Sequence, residues 1–246
     1  MSNLNESTQT IPAHPVRQRR PVLLGLCPIG KFVFSHEGAM DEKRRVMDVL
    51  RRLGVSFVDL NDVLPDGMVR DQSHVEPVVN HFRQQEIDAL FIPHCNFGTE
   101  GAAAMIAKQC GVPTLLWGAR DEPPLPDGSR LRDVLCGLLA TSKVLHTLGV
   151  PFSYINNCHA HEPQFEQGIR RFIGAVRVSK TLRRMRIAHI GQRIDFFWST
   201  IVSESELMQR FGIEIRPVEM TLFLRDLRGR VQTNRPAYEQ EMRQLE

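Results

Sequence analysis

The sequence lacks any long hydrophobic run: no apolar stretch approaches the roughly 18 residues that a membrane-spanning helix requires. The first residues include basic side chains, but they contain no continuous apolar segment of the kind found in a secretory signal. We therefore expect a cytoplasmic protein that does not use a membrane as a partner.

Cysteine pairing motifs are also missing. The five cysteines are odd in number, and no two are spaced C-x-x-C. A chain of 246 residues is large enough to bury a core without disulfide bonds. The pattern predicts free thiols in a reducing compartment and argues against a zinc knuckle.

An excess of positive charge is missing as well. The net charge is only +3, and Arg17, Arg19 and Arg20 against Glu6 place +2 of it in the first 20 residues. A surface built for nucleic acid requires a larger basic patch, so nucleic acid is excluded as an expected partner. Residues 1–20 are predicted to form a disordered tail. The remaining composition, 42% hydrophobic and 24% charged, is typical of a globular protein.

A repeated junction predicts the fold class. Amphipathic, helix-like segments end in a glycine that is followed at once by a β-branched run, at residues 53–55, 110–112, 148–150 and 211–213. Glycine ends a helix at little steric cost, and the next residues then begin a strand. Alternating helices and strands indicate an α/β protein. We predict a flavodoxin-like parallel sheet covered by helices, with Ser73 and Glu76 forming a capping box that opens one helix.

The pattern predicts a first domain over residues 21–183 and a second over 184–246. The pattern of the second segment predicts strands at 185–190 and 213–218. Two strands rarely form a stable sheet alone. We therefore expect it to be the first part of an incomplete α/β domain. The alternative is that this segment packs on the first domain.

The segment from Gly25 to Lys31 has the G-x-x-x-x-G-K spacing of a phosphate-binding loop. Phe32 stands where such a loop needs Ser or Thr, and Pro28 removes one N–H donor. Three interpretations stay open: a nucleotide site, an ordinary strand-to-helix loop, or a loop that directs Lys31 toward an anionic or polyhydroxylated ligand. Ligands of open α/β sheets bind at this end of the strands.

Two other segments carry candidate metal ligands. His94 and Cys95 are adjacent, and His159 and His161 would share a face of an extended segment, but neither pair has an evident third ligand. Asp121 and Glu122 are neighbours that point apart in regular structure, which makes them a poor acid–base pair and favours a solvated loop. No catalytic or metal-binding residue is assigned from these patterns.

Three stretches together resemble one known family. They are CNFGTEG at 95–101, PTLLWG at 113–118, and IGQRIDFFWSTIVSESELMQRFGIEIRPV at 190–218. Their order and spacing are similar to those of the N-terminal half of the L-fucose isomerase and L-arabinose isomerase family, with the fucose-isomerase-like branch favoured. The resemblance covers roughly residues 21–230.

The resemblance implies an aldose–ketose isomerase that moves a proton through an ene-diol and uses a divalent metal, typically Mn²⁺. The family's metal ligands and acid–base groups lie in later domains, so none is expected in this chain. Its first domain helps form a homo-oligomer, a trimer or hexamer, and covers a neighbouring subunit's sugar site. The expected partner is a monosaccharide such as L-fucose or L-arabinose.

The same resemblance implies which residues contact the sugar: Lys31, Cys95, Asn96, Trp117 and Arg193. Lys31 matches a basic residue that is arginine in relatives. The lysine ammonium is a compact charge, and it cannot form the two parallel hydrogen bonds of a planar guanidinium. Cys95 stands where some relatives have a tryptophan that stacks on the sugar. Arg193 matches the G-x-R pattern of the second domain.

Two alternatives belong to other functional classes. The chain could act by itself as a non-catalytic sugar-binding or oligomerisation module, since it lacks the metal ligands. It could instead be a nucleotide-binding flavodoxin-like protein, which only the near-match at Gly25 to Lys31 supports.

Overall fold

A computed structural model describes residues 20–183 and 185–245 of the protein. The predicted disordered tail, apart from Arg20, lies outside the described residues. The strands are β1 (Leu23–Leu26), β2 (Ser56–Val58), β3 (Ala89–His94), β4 (Thr114–Gly118), β5 (Phe152–Tyr154), β6 (Arg186–Ile190) and β7 (Glu214–Val218). The helices are α1 (His36–Arg52), α2 (Val75–Gln84), α3 (Glu100–Cys110), α4 (Val134–Thr147), α5 (Pro163–Leu182), α6 (Glu204–Phe211), α7 (Met220–Thr233) and α8 (Arg235–Leu245).

The first five strands form one parallel sheet in the order β2-β1-β3-β4-β5. This is the flavodoxin-like strand order, so the predicted fold class is confirmed. The glycine junctions are confirmed too: Gly54, Gly111, Gly149 and Gly212 all have left-handed backbones, with φ between 63° and 67°. Each ends a helix shortly before the next strand, as their positions in the sequence predict.

Both faces of this sheet are covered by apolar side chains. β3 and β4 are buried along their whole length, which is typical of central strands in a parallel sheet. On one face, α2, α3 and α4 pack a cluster that includes Phe82, Ile106 and Leu145. On the opposite face, Phe165 of α5 packs against Trp117, with ring centroids 4.5 Å apart. The central strands β3 and β4 therefore leave only their ends open to ligands.

One local prediction is wrong. Ser73 and Glu76 do not form a capping box, because the Asp71 carboxylate accepts the Ser73 N–H at 2.8 Å and starts a 3₁₀ turn over Gln72–His74. α2 then begins at Val75 without a side-chain cap. Asp71 stands two residues before Ser73, and its carboxylate accepts a backbone N–H that would otherwise be free at the start of the helical turn.

The chain divides into two compact units between Ile169 and Arg170, within α5. The domain boundary predicted after residue 183 stays a prediction. In the second unit, β6 and β7 form a two-stranded parallel sheet. Every residue of β6 is exposed. None of the helices in the described ranges combines the length and apolar character needed to cross a membrane.

Candidate functional site

The loop that follows β1 is fixed by one buried side chain at the carboxyl end of the sheet. The Asn96 side-chain oxygen accepts the Lys31 N–H at 2.9 Å, and its amide nitrogen donates to the carbonyls of Lys31 and Ser35 at 3.2 and 3.3 Å. Asn96 itself is only 1% exposed. It therefore holds the loop in place, and its own side chain has little surface left for a ligand.

Lys31 is the predicted site residue that this arrangement presents to solvent. Its side chain is 41% exposed, and the ammonium nitrogen lies 4.6 Å from the centre of the Phe97 ring. Glu100, at the start of α3, lies 3.9 Å from the same nitrogen. The Phe34 ring stacks on the Phe97 ring, with the ring centroids 5.5 Å apart. A cation over an aromatic ring at this edge can donate hydrogen bonds to hydroxyl groups or pair with an anion.

A second cation supports the same loop from the segment before α2. Arg70 is nearly buried and pairs with Asp66, and its guanidinium lies 2.8 Å from the Nδ1 atom of His36. The Phe32 ring lies 5.7 Å from that guanidinium and is 75% exposed. The exposed Phe32 ring therefore places an apolar surface next to the charged Lys31 side chain at this end of the sheet.

The phosphate-loop interpretation has no support in the backbone. The N–H groups of Cys27, Ile29 and Gly30 donate to the carbonyls of Phe91, Pro93 and Val69 at 2.8 to 3.0 Å. Lys31 N–H donates to Asn96, as described above. Gly25 lies within β1, facing Phe82. The donors that a phosphate would need are already used within the protein.

Cys95 and Trp117 lie below the surface of this edge. Cys95 is fully buried beside Ala39 and Met68, and burial raises the pKa of its thiol. Trp117 is fully buried among aromatic rings of the sheet and α5. The structure thus brings Lys31, Cys95 and Asn96 into one region, with only Lys31 exposed. Substrate contacts by these residues stay predictions.

Arg193 belongs to the second unit, in the loop after β6. Its guanidinium donates to the carbonyls of Ile194 and Asp195 at 2.9 and 2.8 Å. The side chain therefore folds back on its own loop. The three exposed aromatic residues that follow, Phe196, Phe197 and Trp198, lie in the same loop.

A buried ion-pair cluster is the main feature that the sequence analysis missed. Glu42 of α1 is 1% exposed, and its Oε2 atom accepts from Arg132 and Arg45, each at 3.1 Å. Arg132, itself 4% exposed, also pairs with Glu122 through two hydrogen bonds. Burial would raise the pKa of Glu122, but the hydrogen bonds and charge of Arg132 lower it below its ordinary value.

A signal for this cluster exists in the sequence. Glu42 and Lys43 stand on the apolar face of α1, in step with Ala39, Val46 and Leu50. Charged residues on a buried helix face need partners, so their position indicates a polar contact. The partner Arg132 is 90 residues away in sequence, and helix periodicity gives no information about it.

The loop before α4 is organised by the neighbouring carboxylates. Asp121 accepts the N–H groups of Val134 and Leu135, at 2.7 and 3.2 Å, and so caps α4. Glu122 pairs with Arg132. These separate partners are consistent with the expectation that the two side chains do not form an acid–base pair. Both carboxylates also bind groups within the protein, whereas the sequence predicts a solvated loop.

His159 and His161 lie together in the loop after β5. Their rings are parallel within 3° with centroids 5.5 Å apart. With Ala160, Glu42 and Arg45 they line a cleft of about 290 Å³. The two rings therefore lie together as expected, although residues 160–161 form a turn and not the extended segment of the prediction.

Comparison with known proteins identifies the family. Residues 25–183 match the model described as "Fucose/sulfoquinovose isomerase, N-terminal domain", which is more than half of the chain. The chain belongs to this family. The fucose-isomerase-like resemblance of its N-terminal part is therefore confirmed.

One relative of this N-terminal domain is a sulfoquinovose isomerase from Clostridium sp. (strain MSTE9), which is 29% identical over 132 residues. The match covers 53% of this chain and 29% of that protein's length. The chain therefore spans less than a third of this curated relative.

Two solved structures are also similar at a low level. One is a periplasmic solute-binding protein of an ABC transporter from Actinobacillus succinogenes 130z with bound D-allose, with 12% identity and a TM-score of 0.28 over 81% of this chain and 59% of that one. The other is a galactofuranose-binding protein, with 11% identity and a TM-score of 0.28 over 81% of this chain and 76% of that one. At these scores the likeness carries no argument.

The described residues do not fit the metal that the family resemblance implies. Across residues 20–183 and 185–245, no three His, Cys, Asp or Glu side chains are placed so that they could hold a metal ion. The pairs His94–Cys95 and His159–His161 both lack a third ligand. His94 is instead buried and bonded to Thr141, 2.9 Å from its Nε2 atom.

Proposed function

We propose that this chain is the N-terminal part of a metal-dependent aldose–ketose isomerase, in which it forms the oligomer and contributes to a neighbouring subunit's sugar site. The observation that carries the proposal is the position of Lys31, exposed at the carboxyl edge of the sheet within the segment that matches the isomerase family. The proposed substrates are L-fucose, L-arabinose or, from the name of the curated relative, sulfoquinovose.

The proposed role of the chain is binding and positioning of the substrate. The Phe97 ring and the Glu100 carboxylate lie 4.6 and 3.9 Å from the Lys31 ammonium, and Asn96 fixes the backbone of Lys31. It would donate to sugar hydroxyls or pair with a sulfonate, because an ammonium carries three donors and a full charge. The exposed Phe32 ring would cover an apolar face of the same sugar.

In this proposal, the ligands of Mn²⁺ and the groups that transfer the proton are residues other than those described above. The isomerase is proposed to be a cytoplasmic homo-oligomer.

The test uses the complete product of the gene in its native assembly. Aldose-to-ketose conversion is measured with L-fucose, L-arabinose and sulfoquinovose, with and without added Mn²⁺. We expect conversion of at least one sugar. No conversion across the panel would contradict the proposal.

A pair of variants tests the role of Lys31. Lys31→Met is expected to lower kcat/KM about tenfold or more, because one charged hydrogen bond to the substrate is lost. Lys108→Met, on the exposed surface of α3, is the matched control and should leave kcat/KM unchanged. Equal effects of the two changes would show that Lys31 does not contact the sugar.

A further inference from the structure

The cleft beside α1 contains a carboxylate oxygen that has no partner. Glu42 is 1% exposed, and its Oε2 atom accepts from both Arg132 and Arg45, whereas within the described residues its Oε1 atom has no hydrogen-bond partner. A buried acceptor without a donor is unfavourable, since it has lost its hydration without compensation. Glu42 lines the cleft, but its Oε1 atom is itself covered, so a bound molecule supplies the missing donor when a lining side chain turns outward.

The other walls of the cleft add groups that can donate and accept. Arg45 is 60% exposed and keeps N–H donors beyond the one it gives to Glu42. The imidazoles of His159 and His161 lie parallel, 5.5 Å apart, and each ring carries one donor and one acceptor when neutral. The His159 backbone is fixed, because its N–H donates to Glu162 at 2.9 Å. A rigid set of mixed donors and acceptors matches a ligand that carries several hydroxyl groups.

The charges around the cleft define the class of ligand more narrowly. Two carboxylates, Glu42 and Glu122, are balanced by two guanidiniums, Arg45 and Arg132, within one connected cluster. Within this cluster of described residues, no guanidinium is left over to hold a phosphate, sulfate or sulfonate. An anion would also face the Glu42 oxygen directly, which is repulsive. The balance favours an uncharged ligand.

We infer that this cleft is a binding site for an uncharged polyhydroxylated molecule, a monosaccharide or an acyclic polyol, in which Glu42 Oε1 accepts a ligand hydroxyl. The cleft volume of about 290 Å³ is sufficient for one such molecule. The residues that form this site differ from those around Lys31, and the inference does not depend on the proposed isomerase activity. With only a few hydrogen bonds available, the affinity is expected to be in the millimolar range.

The test measures binding to the 246-residue chain by calorimetry and by the NMR signals of the histidine rings. The neutral probes are L-fucose, L-arabinose and L-fucitol, and the anionic probe is L-fucose 1-phosphate. We expect at least one neutral probe to bind saturably and to shift the ring signals of His159 and His161. The phosphorylated sugar should shift these ring signals only at higher concentration than L-fucose does.

Variants of the lining residues locate the site. Glu42→Gln is expected to weaken binding about tenfold or more, because the acceptor charge is lost. Glu42 is buried in ion pairs, so His161→Ala at an exposed position provides a test that leaves those pairs in place, and Arg45→Gln removes only the exposed partner of Glu42. Both should weaken binding several-fold. Arg44→Gln, one residue away and 68% exposed, is the control and should not change it.

Three outcomes would overturn the inference. They are no saturable shift of the His159 and His161 ring signals by any neutral probe, tighter binding of L-fucose 1-phosphate than of L-fucose at these rings, and binding at the cleft that survives Arg45→Gln and His161→Ala. Lys31→Met separates the two proposals, since it should leave binding at the cleft unchanged. A protein that isomerises sugars but leaves the cleft empty would support the proposed function and contradict this inference.

Discussion

The two units use parallel strands in different ways. In the first unit, β3 and β4 are buried along their whole length, and helices cover both faces of five strands. In the second unit, two parallel strands pair, and every residue of β6 is exposed. Parallel sheets are normally buried on both faces, and a two-stranded sheet is only marginally stable. The first unit therefore folds around its own core, whereas the second gains little stability from its sheet.

The apolar side chains show the same difference. The first unit buries Phe91, Trp117 and Phe165 in contact with one another. In the second unit Phe196 and Trp198 are 75% and 77% exposed. Since large buried aromatic side chains contribute most to a core, changes in the two units should have very different costs.

The largest expected effect comes from removing a ring. Phe165→Ala should lower the free energy of unfolding of the first unit by about 4 kcal/mol, because a buried ring leaves a cavity between β4 and α5. Trp198→Ala removes a larger ring but should cost less than about 0.5 kcal/mol, because the side chain is exposed. Urea unfolding curves of both variants measure the difference. Equal losses would mean that the two units are not distinct in packing.

A smaller effect is expected from ion pairs. Arg132→Gln should cost about 3 kcal/mol, because it leaves the buried Glu42 carboxylate with a weaker partner. Arg235→Gln, which breaks an exposed pair with Glu239 in α8, should cost no more than about 0.5 kcal/mol. The same unfolding assay measures both costs. Adding 1 M salt should increase the difference between them, because salt screens the attraction of the exposed pair and not that of the buried pair. A cost below about 1 kcal/mol for Arg132→Gln would refute the buried ion pair.

The next effect depends on pH and concerns the core of the first unit. Burial lowers the pKa of His94 from its ordinary value of 6.5 to about 4. The folded state therefore favours the neutral ring, and this contribution to stability is complete above about pH 6.5 and is lost as the pH falls through 4. Between pH 7 and pH 4.5 the loss should be about 2–3 kcal/mol.

The variant His94→Gln isolates that contribution from other acid-sensitive groups, since glutamine does not titrate. The difference in unfolding free energy between the wild type and this variant should narrow by about 2–3 kcal/mol as the pH falls from 7 to 4.5. A difference that stays constant would show that His94 keeps its ordinary pKa in the fold.

The smallest effect is stabilising and lies in the second unit. Gly229 is inside α7, and a Cβ atom added there would meet no atom within 4 Å. Gly229→Ala should therefore raise helix stability by about 0.5–1 kcal/mol. Gly137→Ala in α4 is the contrasting change, because its Cβ would lie 1.8 Å from the Phe97 carbonyl oxygen, and it should cost about 2 kcal/mol. Thermal unfolding should show a higher melting temperature for Gly229→Ala and a lower one for Gly137→Ala than for the wild type.

The sequence predicted the fold well where local patterns determine it. Continuous apolar runs indicated the buried strands, and glycines marked the helix ends with left-handed backbones. It failed at the start of α2, where Asp71 provides the acceptor in place of Ser73. Two acceptors compete within a few residues there, and sequence spacing does not decide which one receives the backbone N–H.

The candidate site was less predictable, because its contacts join distant segments. Lys31 was identified from its place after β1, but the side chain that fixes it, Asn96, is 65 residues away. The exposed position of Lys31 depends on that contact. The family resemblance predicts that Trp117 contacts the sugar, whereas Trp117 lies in a strand whose five residues are all buried. The Glu42–Arg132 pair depends on tertiary packing alone.

Hydrogen exchange followed by mass spectrometry on the 246-residue chain tests the central comparison most directly. We expect the backbone amides of β1, β3 and β4 to exchange only by global unfolding of the first unit, and those of β6 and β7 to exchange much faster through local opening. Equal, slow exchange in β3 and β6 would contradict the claim that the five-stranded unit, which carries the candidate site, is the part of the chain that folds around its own core.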